Sequence, residues 1–237
     1  MSEEITFLVQ ARLGSKRLPK KVLMKLYKES LIENIVHRIN HHNTIILTSD
    51  SKQDDELEVF CKDRNITVYR GSEENVFQRF LDVVKNLKTP YFARVTGDNP
   101  FVEVSDYLAM LDQMKSVNLD RILNVDLPLG CSFEILTKKS FLKQAQDKQD
   151  DFQKEHVTCA YYQRQDIYKC GVFRQKYKSL SDLRLTIDEQ LDLDMVRAIC
   201  TTLQKDPYEI SIKEIAELFQ SKPNIFEMNR QVEQNRV

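Results

Sequence analysis

Five cationic side chains crowd into one short stretch: Arg12, Lys16, Arg17, Lys20 and Lys21, within Gln10-Ala11-Arg12-Leu13-Gly14-Ser15-Lys16-Arg17-Leu18-Pro19-Lys20-Lys21-Val22-Leu23. The stretch follows directly on an apolar run, Ile5 to Val9. A buried strand that opens into such a loop has the composition of an anion site at the carboxyl end of a sheet strand, where open α/β sheets bind ligands. Pro19 stiffens the loop and Gly14 relaxes it. Backbone N–H groups can then wrap a polyphosphate while Arg and Lys neutralise its charge. A solvated basic surface loop would have the same composition, and the stretch alone does not separate the two.

Two further segments end apolar runs in an aspartate. In Ala93-Arg94-Val95-Thr96-Gly97-Asp98-Asn99-Pro100, Gly97 permits a sharp turn, Asp98 stands at the strand tip and Pro100 fixes the exit. In Leu183-Arg184-Leu185-Thr186-Ile187-Asp188-Glu189-Gln190, an alternating run reaches Asp188 just before a helical pattern. Each has a plainer reading: Asp98 as a turn residue capping the next helix, Asp188 as an N-cap. Taken with the basic loop, the pair describes a polyphosphate held by cations, with Mg²⁺ between two carboxylates, since hard cations take oxygen ligands.

The elements that must position these residues alternate regularly. Apolar strands read at Ile5–Val9, Thr44–Thr48, Ile66–Tyr69, Tyr91–Val95 and Arg121–Val125, with helical patterns at Leu31–Asn40, Asp54–Arg64, Glu74–Asn86 and Val104–Lys115 between them. Leu57, Phe60 and Cys61, and again Val76, Phe80, Val83 and Val84, recur at helical spacing. Such alternation implies βαβ units, a mostly parallel twisted sheet and an α/β class. After Pro128-Leu129-Gly130 the rhythm changes. Ser132–Leu136 reads as a strand, Lys139–Lys148 as a polar helix, Asp147–Asp151 as a charged loop, Glu155–Gln163 as a helix and Ile167–Phe173 as a strand. Leu183–Ile187 is a further strand, followed by a long helix from Glu189 to Leu203. Ser211 and Glu214 form a capping-box pattern ahead of a last helix, Ser211–Gln220. The expected architecture is one domain over 1–237, with 126–180 as a protruding excursion.

Bulk properties narrow the partners. With 35 basic and 36 acidic residues and a net charge of -1, no overall field recruits nucleic acid or an anionic membrane, so anion binding must be local. No run approaches the ~18 apolar residues of a membrane span, and Met1-Ser2-Glu3-Glu4 is unlike a signal peptide. Five scattered cysteines without a CxxC pair read as reduced thiols, which suits the cytoplasm better than a disulfide framework or zinc site.

At this point the residues resemble a family. ARLGSKRLPKKVL is similar to the ARxxSxRLPxK signature of sugar nucleotidyltransferases, in particular cytidylyltransferases of the spore-coat polysaccharide biosynthesis F type, related to the CMP-Kdo and CMP-acylneuraminate synthetases. The resemblance continues in order through LTSDSKQDDELEVF, VYRGSEENVFQRF, ARVTGDNP, LPLGCSFEIL, KEHVT and LRLTIDEQLDLDMV, covering about residues 5–200. It implies a Rossmann-like nucleotidyltransferase (glycosyltransferase-A-like) fold. It also implies coupling of CTP to a sugar or sugar-acid acceptor with release of pyrophosphate, in surface polysaccharide or glycoconjugate biosynthesis.

The same resemblance implies roles. Arg12, Ser15, Arg17 and Lys21 match triphosphate-binding positions, with Ala11 and Gly14 in the same loop and Lys21 nearest the α-phosphate. Asp98 and Asp188 match two Mg²⁺-binding aspartates; Arg12, Arg17, Lys21 and Asp98 are the expected catalytic residues. Gly71, Ser72, Asn75 and Arg79 fall around the base and ribose, with Arg94 and Thr96 on the floor. Gly130, Glu134 and His156 match acceptor positions in the excursion, the region related enzymes use to pair subunits, so a homodimer is expected. The chain departs from the pattern at Lys20, where glycine is usual, and at Asn75, usually acidic. It departs also at Cys131-Ser132, in place of a GLDVEVF-like start, and at Glu189-Gln190-Leu191, which replaces a proline-containing helix start.

Other features read plainly. Asp192-Leu193-Asp194 spells the DxD of glycosyltransferases, but beside Leu191, Met195 and Ile199 it reads as a solvated helix face. His37 and His41, four apart without a third ligand, read likewise. Tyr161 and Tyr162 read as packing or subunit-contact residues. No GxGxxG follows the first strand, which disfavours a dinucleotide-dependent dehydrogenase. Two alternatives stay open at this level: a glycosyltransferase using a ready-made nucleotide sugar, and a non-catalytic nucleotide-binding module.

Overall fold

A computed structural model describes residues 4–41 and 43–233. Strand β1 (Ile5–Gln10) is buried along almost its whole length. Phe7 and Val9 pack into one apolar cluster, whereas Leu8 packs into the cluster on the opposite sheet face. An unbroken apolar run is what a strand covered on both faces requires. The other strands are β2 (Thr44–Ser49), β3 (Thr67–Gly71), β4 (Tyr91–Thr96), β5 (Arg121–Val125), β6 (Glu134–Thr137) and β7 (Cys170–Arg174). They form one sheet in the order β3-β2-β1-β4-β6-β5-β7. All pairings are parallel except those of β6 with β4 and β5.

The helices cover both faces. On the side of Phe7 lie α1 (Leu31–Ile39), α2 (Asp55–Asp63), α4 (Tyr107–Val117), α8 (Gln190–Leu203) and α9 (Ile212–Ser221). On the side of Leu8 lie α3 (Val76–Val84), α5 (Lys138–Gln144) and α7 (Cys159–Gln163), with the short α6 (Asp151–Glu155) beside α3. The Ser30–Glu33 and Ser211–Glu214 pairs form reciprocal capping boxes that start α1 and α9. Among the described residues no helix is long and apolar enough to cross a membrane.

Several expectations from the sequence need correction. Residues 126–180 are not wholly an excursion: β6 and β7 lie within the sheet, β6 because Ile135 and Leu136 alternate into the two opposite clusters. The single helix expected at Glu155–Gln163 breaks at His156, whose ψ of 75° is not helical. The break sinks Val157 into the core and lets the Thr158 hydroxyl donate to Glu134 Oε1 at 2.8 Å. Leu183–Ile187 is extended but forms only one bridge, Leu129 with Arg184, because its neighbours are loops rather than a strand. His37 is half-exposed on α1 and paired with Glu29, but His41 lies past the helix end, buried against Phe7 and Tyr107.

Candidate active site

Sheet order reverses beside β1: β2 and β3 lie on one side, β4 and the rest on the other. Open α/β sheets bind ligands outside the carboxyl ends of strands at such a switch point. Here those ends are Gln10 and Thr96. The Gly97 N–H donates to the Gln10 carbonyl at 2.7 Å, drawing the two tips together. A Cβ on residue 97 would sit 2.7 Å from that carbonyl oxygen and 2.8 Å from Ala11 Cβ, so only glycine fits the approach.

The basic loop is built to stay open toward this crevice. Leu13 and Leu18 are buried, and the Leu13 carbonyl accepts from Ser15 N and Lys20 N at 2.9 and 3.0 Å. Asp54, almost wholly buried, accepts Leu13 N at 2.6 Å and Ser49 N at 3.0 Å, which ties the loop to the start of α2. Lys20 takes a left-handed conformation, φ 58°, before the turn that carries Lys21. That geometry explains why glycine suits this place, since a side chain with a Cβ is strained there.

Lys21 is the point where the three segments meet. Its side chain is 10% exposed, and its Nζ donates to Asp188 Oδ1 at 2.9 Å, to Asp98 Oδ2 at 3.3 Å and to the Ile187 carbonyl at 2.6 Å. The strand tips are fastened by Ile187 N donating to the Asp98 carbonyl at 2.9 Å. Asp188 Oδ2 also meets Arg17 at 3.2 Å and Arg184 at 2.8 Å. Burial would raise the Asp188 carboxyl, but the Lys21 ammonium, then Arg17 and Arg184, outweigh it and hold the group below the ordinary aspartate range.

A cavity of about 1200 Å³ opens above this cluster. Its walls include Ala11, Arg12, Ser15, Arg17, Lys21, Ser72, Asn75, Arg79, Thr96, Asp98 and Asp188, which are eleven of the residues expected at the site. Arg12 and Lys16 on the basic wall form no ion pair among the described residues. On the far wall, Asn75 caps α3, its amide oxygen accepting Gln78 N at 2.8 Å. The buried Arg79 donates Nε and Nη2 to the Ser72 carbonyl at 3.1 and 2.7 Å and holds this loop in shape. A side cavity of about 220 Å³ shares Arg17, Thr96, Asp98 and Asp188, and adds Gly130, Asn99, Leu129, Arg184 and Thr186.

Five expected residues line neither cavity: Gly14, Gly71, Arg94, Glu134 and His156. Glu134 is 4% exposed and fully engaged. It accepts Arg94 Nη1 at 2.9 Å, Thr158 Oγ1 at 2.8 Å and a short bond from Arg121 Nε. Burial would raise its carboxyl, but Arg121 and Arg94 overwhelm that and push it down to about 2. Glu134 therefore holds Arg94, whose Nη2 lies 3.4 Å from Gln10 Oε1 at the cavity floor. His156 ends α6, its ring against Phe152. Tyr161 is buried packing, while the ring of Tyr162 lies over Arg121.

Sequence reasoning missed Asp54, Arg184 and above all Asp192. Asp192 is not solvated: it is completely buried beneath Asp188 and accepts Arg184 Nε at 2.9 Å. A carboxylate between an apolar stripe and a strand-end aspartate gave only the helix spacing to read, and its partners lie on other segments.

The sheet and the crevice at its switch point define a Rossmann-like α/β protein of nucleotidyltransferase fold. The structure superposes on a cytidylyltransferase from Leptospira borgpetersenii with a TM-score of 0.87 at 23% identity, covering 98% of this chain and 99% of that one. It superposes on CMP:2-keto-3-deoxy-manno-octonic acid synthetase complexed with CTP with a TM-score of 0.63 at 14% identity, covering 84% and 99%. In sequence the chain is 33% identical to the spore coat polysaccharide biosynthesis protein SpsF of Bacillus subtilis, over 93% of this chain and 96% of that protein. It is 24% identical to the 3-deoxy-manno-octulosonate cytidylyltransferase of Rickettsia bellii over 52% of each. The family model for cytidylyltransferases matches residues 6–237, and the chain belongs to that family.

Proposed function

We propose that the chain is a Mg²⁺-dependent cytidylyltransferase that joins CTP to a sugar or sugar-acid acceptor and releases pyrophosphate, in surface polysaccharide or glycoconjugate biosynthesis. The observation that carries this reading is the meeting of Lys21, Asp98 and Asp188 at one point of a crevice whose wall also carries Arg12 and Lys16, unpaired among the described residues. The triphosphate lies along the basic loop, where Arg12 and Lys16 meet it without first giving up a carboxylate partner. Ser72, Asn75 and Arg79 form the base and ribose end of the same cavity. The acceptor hydroxyl enters from the side cavity at Gly130 and attacks the α-phosphorus in line, while pyrophosphate leaves along Arg12 and Lys16. Lys21 stands at the α-phosphate end and offsets the charge that grows on its oxygens. Positioning and charge neutralisation provide most of the acceleration in such a transfer.

The donor set fits Mg²⁺. Asp98 Oδ2 and Asp188 Oδ1 both lie within 3.3 Å of Lys21 Nζ, so the two carboxylates are close enough together to share a cation at one point beside that ammonium. Bound there, the ion would polarise phosphate oxygens and neutralise their charge. The five free thiols support a cytoplasmic enzyme, and exposed Tyr162 and Val172 support a homodimer paired through the 126–180 region.

Pyrophosphate release from each nucleoside triphosphate, with a panel of sugars, sugar acids and phosphorylated metabolites, tests the reading. CTP is expected to be preferred and Asp98→Ala to be nearly inactive. Full activity in Asp98→Ala, or release of a nucleoside diphosphate from a nucleotide sugar, would overturn it.

A further inference from the structure

Asp192 has more partners than helix capping requires. Its carboxylate takes five hydrogen bonds: Arg184 Nε at 2.9 Å and Nη2 at 3.1 Å, Asp188 N at 2.9 Å, Glu189 N at 3.0 Å and Asn229 Nδ2 at 2.8 Å. A capping box needs only the reciprocal bonds with Glu189. The remaining bonds all run to the surroundings of Asp188. Arg184, clamped by Asp192, places its Nη2 2.8 Å from Asp188 Oδ2, and Arg17 occupies the same oxygen at 3.2 Å. With the Asp188 backbone N–H fixed as well, its other oxygen, Oδ1, is left facing Lys21.

The clamp reaches into the segment that follows α9. Asn229 is 3% exposed and donates Nδ2 both to Asp192 Oδ1 and, at 3.0 Å, to the Arg184 carbonyl. Ile225 and Phe226 are buried against the main core and hold the segment in place. Asn229 therefore links the segment after α9, through Asp192 and Arg184, to the strand-tip carboxylate.

We infer that Asp192 and Asn229 are positioning residues for the transfer: they orient the Asp188 carboxylate toward the cation point, which makes the C-terminal segment part of the active-site scaffold. The inference rests on the proposed function for its kinetic readout but not for its binding readout. Neither side chain lines the cavities, so both act through Arg184 and Asp188.

The test compares the full-length chain with Asn229→Leu and Asp192→Asn. It measures thermal unfolding, kcat and KM for CTP, and Mn²⁺ affinity by electron paramagnetic resonance with CTP present. The expected result is a folded Asn229→Leu protein whose Mn²⁺ affinity and kcat each fall about 10- to 100-fold, as for outer partners of metal-binding carboxylates, while KM for CTP is unchanged. Asp192→Asn shows the same pattern, and decides the question if Asn229→Leu does not fold. Wild-type kcat and Mn²⁺ affinity in a folded variant would overturn the inference. So would a rise in KM for CTP with kcat retained. Failure of the wild type to release pyrophosphate with any acceptor would instead sink the proposed function, and the Mn²⁺ titration would still decide the clamp.

Discussion

Replacing Glu134 by glutamine tests the support of the cavity floor. The carboxylate lies between Arg94 and Arg121, with Arg121 only 3% exposed. Two routes give the magnitude. A fall in the carboxyl pKa from an ordinary 4.5 to about 2, at 1.36 kcal/mol for each unit, corresponds to about 3 kcal/mol of folded-state stabilisation. Removing one partner of a buried ion pair leaves the other charge uncompensated, which costs about 3–5 kcal/mol. Their agreement predicts a Glu134→Gln variant destabilised by about 3 kcal/mol, or roughly 6–12 °C in Tm for a chain of this length. Urea titrations followed by circular dichroism measure it, with the midpoint expected to fall at constant slope. The sign of the pH dependence follows from the depressed pKa: the stabilisation is complete above 4.5 and is lost as pH falls toward about 2. Wild type and variant should therefore differ fully at neutral pH and converge in acid. A loss below about 1 kcal/mol, the level of an exposed pair, would refute the reasoning, as would a difference that persists undiminished in acid.

Three further outcomes follow from single contacts. Lys20→Gly relieves a left-handed residue at φ 58° at the expense of an exposed pair with Glu56, so thermal unfolding should show a gain of about 1 kcal/mol. Gly130→Ala should be destabilised and lose acceptor affinity in steady-state kinetics, because at φ 90° its Cβ would lie 2.5 Å from Thr186 N. Lys21→Met removes the main cation that holds Asp188 low. The variant should be less stable than wild type at pH 7, with the gap closing as pH falls below the ordinary aspartate value of about 3.9, read by urea titration across pH.

Much of the site was legible because it is encoded locally. A strand followed at once by a basic loop puts Arg12, Ser15, Arg17 and Lys21 at one sheet edge, and Gly97-Asp98 repeats the logic at β4. Lys20 was legible as a departure, and its left-handed backbone supplies the reason why glycine would suit that place. The acceptor side was less so. Glu134 was expected to face a ligand, yet Arg94, Arg121 and Thr158, contributed by three different segments, enclose it. Asp192 was read from its helix neighbours alone, and those say nothing of Arg184 or Asn229.

Residue types and short-range periodicity by themselves determined the α/β class, the basic loop after the first strand and the two acidic strand tips, since chain order and a two- or 3.6-residue repeat suffice for each. Only the tertiary structure decided which charges are free and which are spent on one another. That depends on partners tens of residues apart, such as Lys21 with Asp188 and Asn229 with Asp192, brought together by burial rather than by spacing along the chain.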